Sequence, residues 1–129
     1  MLGRRTFGDE EQARAREWFE ETLRAARDVH TIGERRASEG ILLALDRWFV
    51  HRVRSVAGED TNPLTEIVLV VEAILADGVL RDQPPIMYDR ARSVLANPMG
   101  QHLTLTFDDV ERLGRAFLDA IAERYSEPR

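Results

Sequence analysis

The chain has no cysteine among its 129 residues, which excludes disulfides, thiolate nucleophiles and cysteine-ligated metals. It has no lysine either. All 18 basic residues are arginine, against 23 acidic ones, for a net charge of -5; a GC-rich coding sequence is the simplest source of that bias. A net acidic chain is a poor general binder of nucleic acid, because phosphate neutralisation supplies most of that affinity. The opening "MLGRRTFGDEE" has two arginines but no apolar stretch after them, so no secretory signal is expected. The longest apolar run, "IVLVVEAILA", carries Glu72 and reaches only about half of a membrane span. The expected location is the cytoplasm, with no membrane partner. GxSxG, SxxK, HExxH and ExxH patterns and phosphate-cradling glycine loops are all missing from the sequence, so no signature of nucleophilic catalysis, nucleotide binding, a zincin or a di-iron bundle is present. The three histidines, His30, His51 and His102, stand on separate segments and form no ligand set by themselves; neither a metal nor a cofactor is expected.

What is present is helical patterning. At 43% hydrophobic and 32% charged, the chain suits a single α-rich domain over 1–129, with ends fraying at 1–7 and 126–129. Asp9 with Gln12 is a capping-box pattern, and Ala15, Trp18, Phe19, Thr22, Leu23, Ala26 and Val29 recur at helical spacing, predicting a surface helix with one buried stripe. Glu10–Arg14 and Glu20–Arg24 are i, i+4 pairs on its wet face. Thr31 and Glu34 predict a second helix running to about Val56. Its main stripe is Ala37, Ile41, Leu45, Trp48 and Phe49, with Leu42 and Val53 at the edge. Leu43 and Val50 point the other way, which marks a central helix or one that meets a second subunit. Arg52 lies on the main stripe and needs a partner there.

The stretch "AGEDTNPLTE", residues 57–66, looks most like a site. A calcium loop needs acids at alternate positions, a central glycine and a distal glutamate; here the glycine comes first and a proline interrupts. Capping chemistry accounts for the stretch more simply. Gly58 suits the left-handed residue after a helix, Asn62 an N-cap, Pro63 the first helical position, and Glu66 the positive helix end. The segment therefore reads as a joint between helices. A third helix, apolar nearly all round, follows to the stop at Gly78. It is expected to be the central element, wrapped by the other helices. Glu72 is the charge inside it, with Arg52 as the expected partner.

Beyond Gly78, Pro84 and Pro85 block a helix. "IMYD" suits an edge strand, "ARSVLA" a single helical turn, "NPMG" a type I turn, and "QHLTLT" alternates as a half-buried strand does. Thr106 and Asp109 cap a last helix whose core face is Phe107, Val110, Leu113, Phe117, Ala120 and Ile121. The expected fold is mainly α: a four-helix single domain in the order helix, helix, helix, β-ribbon, helix, the ribbon being a small two-stranded element.

From "ERRASEGILLALDRWFVHRVRSVAGEDTNPLTE" through "SVL" to "FDDVERLGRAFLDAIAERY" the chain resembles a family of small bacterial proteins with no assigned activity. That family carries "GKDGNPLNE" where this chain has Gly58 to Glu66. The resemblance covers Glu34 to Tyr125 and implies a shared, mostly helical fold without any activity. Glutamate at 59 and threonine at 61, in place of lysine and glycine, weaken any anion-binding role of the loop.

Three functional expectations follow. The lead is a non-enzymatic domain for protein interaction or oligomerisation, with a second copy or another protein as partner and Leu43, Val50 and Arg47 at the interface. The alternative is a small-molecule site or enzyme using Arg52, Glu72, Tyr88 and His102. The third is a nucleic-acid binder, since three helices and a β-ribbon follow the order of a winged helix. Arg47, His51, Arg52 and Arg54 make a basic patch, but a helix end also explains it. The third helix of a winged helix enters the major groove, and here that helix is apolar and acidic, so this reading is disfavoured.

Overall fold

A computed structural model describes residues 7–28, 33–53 and 57–125; the side chains of residues 50–53 and 125 lie outside that description. Four helices dominate: α1 (Asp9–Asp28), α2 (Glu34–Val53), α3 (Pro63–Leu75) and α4 (Phe107–Tyr125), with one 3-10 turn at Arg90–Arg92. α2 and α4 pack on each other, and both pack on α1 and on α3. α1 and α3 do not meet. They flank the α2–α4 pair from opposite sides.

α1, α2 and α4 each bury most of the face their spacing predicts, Phe107 of α4 being only half-buried. α1 turns Ala15, Phe19 and Leu23 inward; Val29 of the expected stripe lies outside the described residues. Trp18 leans on Trp48 of α2, ring centres 6.2 Å apart. On α2 the buried row is Ser38, Ile41, Leu42, Leu45 and Phe49. Leu42, expected at the edge, is fully buried, while Ala37 and Trp48 are half-buried. On α4, Val110, Leu113, Phe117, Leu118, Ala120 and Ile121 are buried. Phe49 joins α2 to α4 through Phe117, 5.8 Å away. It also meets Phe7 edge-on at 4.9 Å. Phe7, placed by the sequence in a fraying end, is fully buried. Gly114 of α4 lets α1 approach closely, because a Cβ there would fall within the Phe19 ring.

The helix starts follow capping chemistry, with two changes of residue. The first intrahelical bond of α1 runs from Gln12 N to Gly8 O at 3.0 Å, so Gly8 takes the cap position expected of Asp9, and Gln12 Nε2 donates to Phe7 O instead. Ala37 N donates to Gly33 O, so α2 starts from Gly33; Thr31 lies outside the described residues. Glu34 turns away and accepts from Phe107 N of α4 at 2.9 Å. The Thr106–Asp109 box forms in both directions, each bond 3.1 Å. Across the wet side, Glu20 pairs with Arg115 of α4 at 2.8 Å rather than chiefly with Arg24. Arg27 reaches Glu111 at 2.6 Å and Arg16 reaches Asp119 at 2.8 Å. These pairs are solvent-exposed, worth a few tenths of a kcal/mol each, and set the α1–α4 alignment more than stability.

The β-ribbon is not formed among the described residues. One antiparallel bridge, Val79 with His102, stands in its place, backed by Leu80 N to Gln101 O and Leu103 N to Gly78 O. Gly100 N donates to Leu80 O, not to Asn97, so the "NPMG" turn closes on a neighbouring segment. "IMYD" pairs with no strand; Met87 N donates to Glu59 O at 2.7 Å. The alternation in "QHLTLT" does hold in burial, with Leu103 and Leu105 buried and His102, Thr104 and Thr106 exposed. Its leucines insert into the helical core without needing a ladder.

This changes the place of α3. Helices cover it on two sides only, from α2 and α4. The irregular chain between Leu75 and Phe107 covers much of the rest, and among the described residues Val68 and Glu72 stay half-buried and Leu75 exposed. No helix among the described residues is long and apolar enough to cross a membrane.

Candidate functional site

The 57–66 stretch is a joint, and nearly every polar atom in it has a structural partner. Gly58 has φ +85°, the left-handed region that glycine tolerates. Asn62 Oδ1 accepts from Leu64 N at 2.9 Å and Thr65 N at 3.2 Å. Its Nδ2 donates to Ala57 O and Asp60 O, both at 3.1 Å. Thr65 Oγ1 accepts from Asn62 N and donates to Asp60 O. Asn62 thus ties Ala57, at the start of the joint, to the start of α3 as well as capping α3.

The joint also ties down a distant segment, residues 86–97, which crosses α3 as a strap. Thr61 Oγ1 donates to Met87 O at 2.9 Å and accepts from Asp89 N at 2.6 Å. Glu66 takes two backbone N–H groups, Val94 on Oε1 at 2.7 Å and Leu95 on Oε2 at 3.0 Å. Arg112 of α4 donates to the Val94 carbonyl from the other side, so this stretch of strap is clamped between two helices. Inside the strap, Tyr88 Oη donates to Asn97 O. Ser93 Oγ receives Ala96 N at 2.6 Å. Ala96 itself sits at φ +54°, strained for a residue with a Cβ.

Glu66 is 3% exposed, whereas Glu72, expected to be the buried carboxylate, is half-buried. Burial pushes the Glu66 carboxyl above the usual glutamate range, against the pull of the Leu95 and Val94 amides and of Arg112. The sequence assigned Glu66 only to the helix dipole. Its strap contacts lie 28 and 29 residues away, beyond any periodic signal.

Of the four residues expected to share one small-molecule pocket, Glu72, Tyr88 and His102 are described, and they are not gathered together. Glu72 lines a groove of about 360 Å³ with Ala57, Thr65, Val68, Gln83, Pro84, Pro85 and Ile86. His102 lines a different cleft, of about 330 Å³, beside Arg35, Arg36, Glu39 and Asp77. Tyr88 is held within the strap, and the side chain of Arg52 lies outside the described residues. The His102 cleft offers two guanidiniums, but Glu39 stands 3.9 Å from Arg35 and 3.6 Å from Arg36. Asp77 is tied to Arg81, which holds its carboxyl well below the usual range. Charges of both signs therefore offset one another on its walls. Ser38 Oγ is buried and without a hydrogen-bond partner among the described residues, but it stands in the core row of α2 and lines neither cleft.

Of the expected interface residues, Leu43 is half-buried and Arg47 exposed; the Val50 side chain lies outside the described residues. Glu39, Leu43 and Arg47 follow one another at i, i+4, one side of a helix. Glu39 shares its cleft with Ile74 of α3. On a different side of α3 from Ile74 lie Val68, Glu72 and Leu75, the last 67% exposed. Pro84, Pro85 and Ile86 wall its far side, and Met87, next in the chain, is 72% exposed. The rest of α3 is covered, so the helix that would enter a DNA groove in a winged helix has only this apolar strip with one carboxylate to offer. Comparison with family models, with curated proteins and with solved structures finds no match to this chain.

Proposed function

We propose that the protein is a non-enzymatic interaction domain whose contact face is the open side of α3. One observation carries this reading: Val68, Pro84, Pro85 and Ile86 line one groove with Glu72, and Leu75, one helical repeat beyond Val68 on the same side of α3, is turned outward. Single exposed apolar residues are ordinary, but contiguous ones rimmed by charge mark contact surfaces. The joint that most resembled a ligand site supports the same reading, since Thr61 and Glu66 are engaged in holding the strap and Asn62 in closing the joint itself.

A photocrosslinking amino acid at position 75, irradiated in cells that express the full chain, tests this. The expected result is a discrete protein adduct. The same group at position 24, on the exposed side of α1, should yield none. Absence of any adduct at position 75 would overturn the reading.

A further inference from the structure

We infer that the occupant of this face is an amphipathic helix of another protein, carrying one arginine or lysine within its apolar stripe to meet Glu72. The inference rests on the reading of the open α3 side as a contact face, and it adds the conformation and the charge of the partner.

Val68, Glu72 and Leu75 recur at i, i+4 and i+7, so they share one side of α3 over about 10 Å, at 1.5 Å per residue. Glu72 stands between the two apolar side chains. The rest of its groove is uncharged, from Thr65 and Val68 on α3 to Gln83, Pro84 and Ile86 opposite. No side chain among the described residues pairs with the Glu72 carboxylate. A carboxylate covered by apolar surface is costly unless a cation or donor meets it. Whatever fills this groove must therefore bring a cation to that point. The surroundings favour one. Asp82 precedes Gln83, Glu59 accepts Met87 N through its carbonyl, and both acids are exposed. The whole chain, at a net charge of -5, attracts a cationic segment at long range.

The backbone decides between a helix and an extended segment. Pro84 and Pro85 have no N–H. Ile86 N already donates to Gln83 O, and Met87 N to Glu59 O at 2.7 Å. On the opposite wall, α3 uses its N–H groups in its own turns. The wall at 84–87 thus has no backbone donor left, and an extended partner would bury carbonyls that a strand ladder normally satisfies. A helix brings its backbone bonds with it and docks through residues at i, i+3 or i+4, and i+7. The matching stripe sets apolar side chains on Val68 and Leu75, with the cation one turn from each.

Phage selection on the full-length protein tests this, with one library randomised on the outer face of a stable helix and a second of linear peptides. Helical binders should carry arginine or lysine with apolar residues one turn before and one turn after it. Glu72→Gln and Leu75→Asp should each weaken those binders by about tenfold or more. Selection on Glu72→Arg should exchange the cation for aspartate or glutamate. Circular dichroism should show the variants folded, since Glu72 is half-buried and Leu75 exposed, and Glu72→Gln keeps the side-chain shape. Helical binders without the cation, binders indifferent to positions 72 and 75, the same binders on Glu72→Arg, or enrichment from the linear library alone would overturn the inference. The position-75 adduct separates the two failures. Its crosslinked segment should be a helix of the stated pattern. A segment without a cation, or an adduct of twice the chain mass, would end this inference and leave the interaction reading in place; no adduct at all would end both.

Discussion

The two sides of α3 differ in what was done with a glutamate. On the strapped side, Glu66 is buried and its oxygens are filled by two backbone amides. On the open side, Glu72 reaches solvent within an apolar groove and has no partner among the described residues. The residues are six apart on one helix, so propensity does not separate them. The separation comes from a strap that crosses one side and not the other. A carboxylate that collects backbone amides is part of the fold, whereas one left at the edge of an apolar strip is available for contact.

Substitutions can break or sharpen that contrast. The largest effect is expected from Glu66→Ala, which orphans the Val94 and Leu95 amides beneath the strap and should cost roughly 3 kcal/mol. Urea unfolding reads the loss, and hydrogen exchange at those two amides should quicken. Thr61→Val keeps the shape of the joint but removes the hydroxyl serving Met87 O and Asp89 N; about 1.5 kcal/mol is expected.

The Glu66 carboxyl also carries a pH dependence. Its folded pKa is raised, so the folded state holds the proton more tightly than the unfolded state. That contribution is whole below the unfolded value of about 4.5 and is lost as pH rises through the folded pKa. The stability difference between wild type and Glu66→Gln should therefore shift against wild type as pH is raised from 4.5 to 7. A difference moving the other way would mean that the amides outweigh burial. Ala96→Gly relieves a left-handed alanine in the strap at the cost of backbone freedom, for a net gain of about 0.5 kcal/mol.

On the open side, Glu72→Gln and Leu75→Ser should each change the stability of the isolated chain by less than about 0.5 kcal/mol. The measurement belongs at high dilution, where association does not add to stability. A large loss from either would mean that the open side is structural too, and the contrast between the two glutamates would collapse.

Periodicity carried the helices well. The rows Ala15–Phe19–Leu23 and Val110–Leu113–Phe117–Ile121 are buried as spaced, and Asn62–Pro63 starts α3 with the cap chemistry its residues imply. These are local signals, complete within one or two turns. The misreadings are non-local. "QHLTLT" has the burial pattern of a strand, but pairing needs a partner segment, and the nearest chain offers one bridge. The importance of Glu66 depends on amides 28 and 29 residues on. The expected pocket is non-local in the same way: His102 and Glu72 were grouped as candidates, yet line different clefts. Leu43 and Val50 stood out as a second side of α2; Leu43 is half-buried and the Val50 side chain lies outside the described residues, while the exposure of Leu75 was hidden by an apolar run that looked buried throughout.

Gly114 sets a limit on how this molecule changes shape. With the Phe19 ring seated where a Cβ would lie, sliding α1 along α4 by one turn, about 5.4 Å, would bring Val110 or Leu118 beneath the ring in place of the glycine. Neither leaves room for it. The α1–α4 pair has a single seating, like a key with one notch, and any transition in the molecule must spare that half and travel through the segments laid over α3.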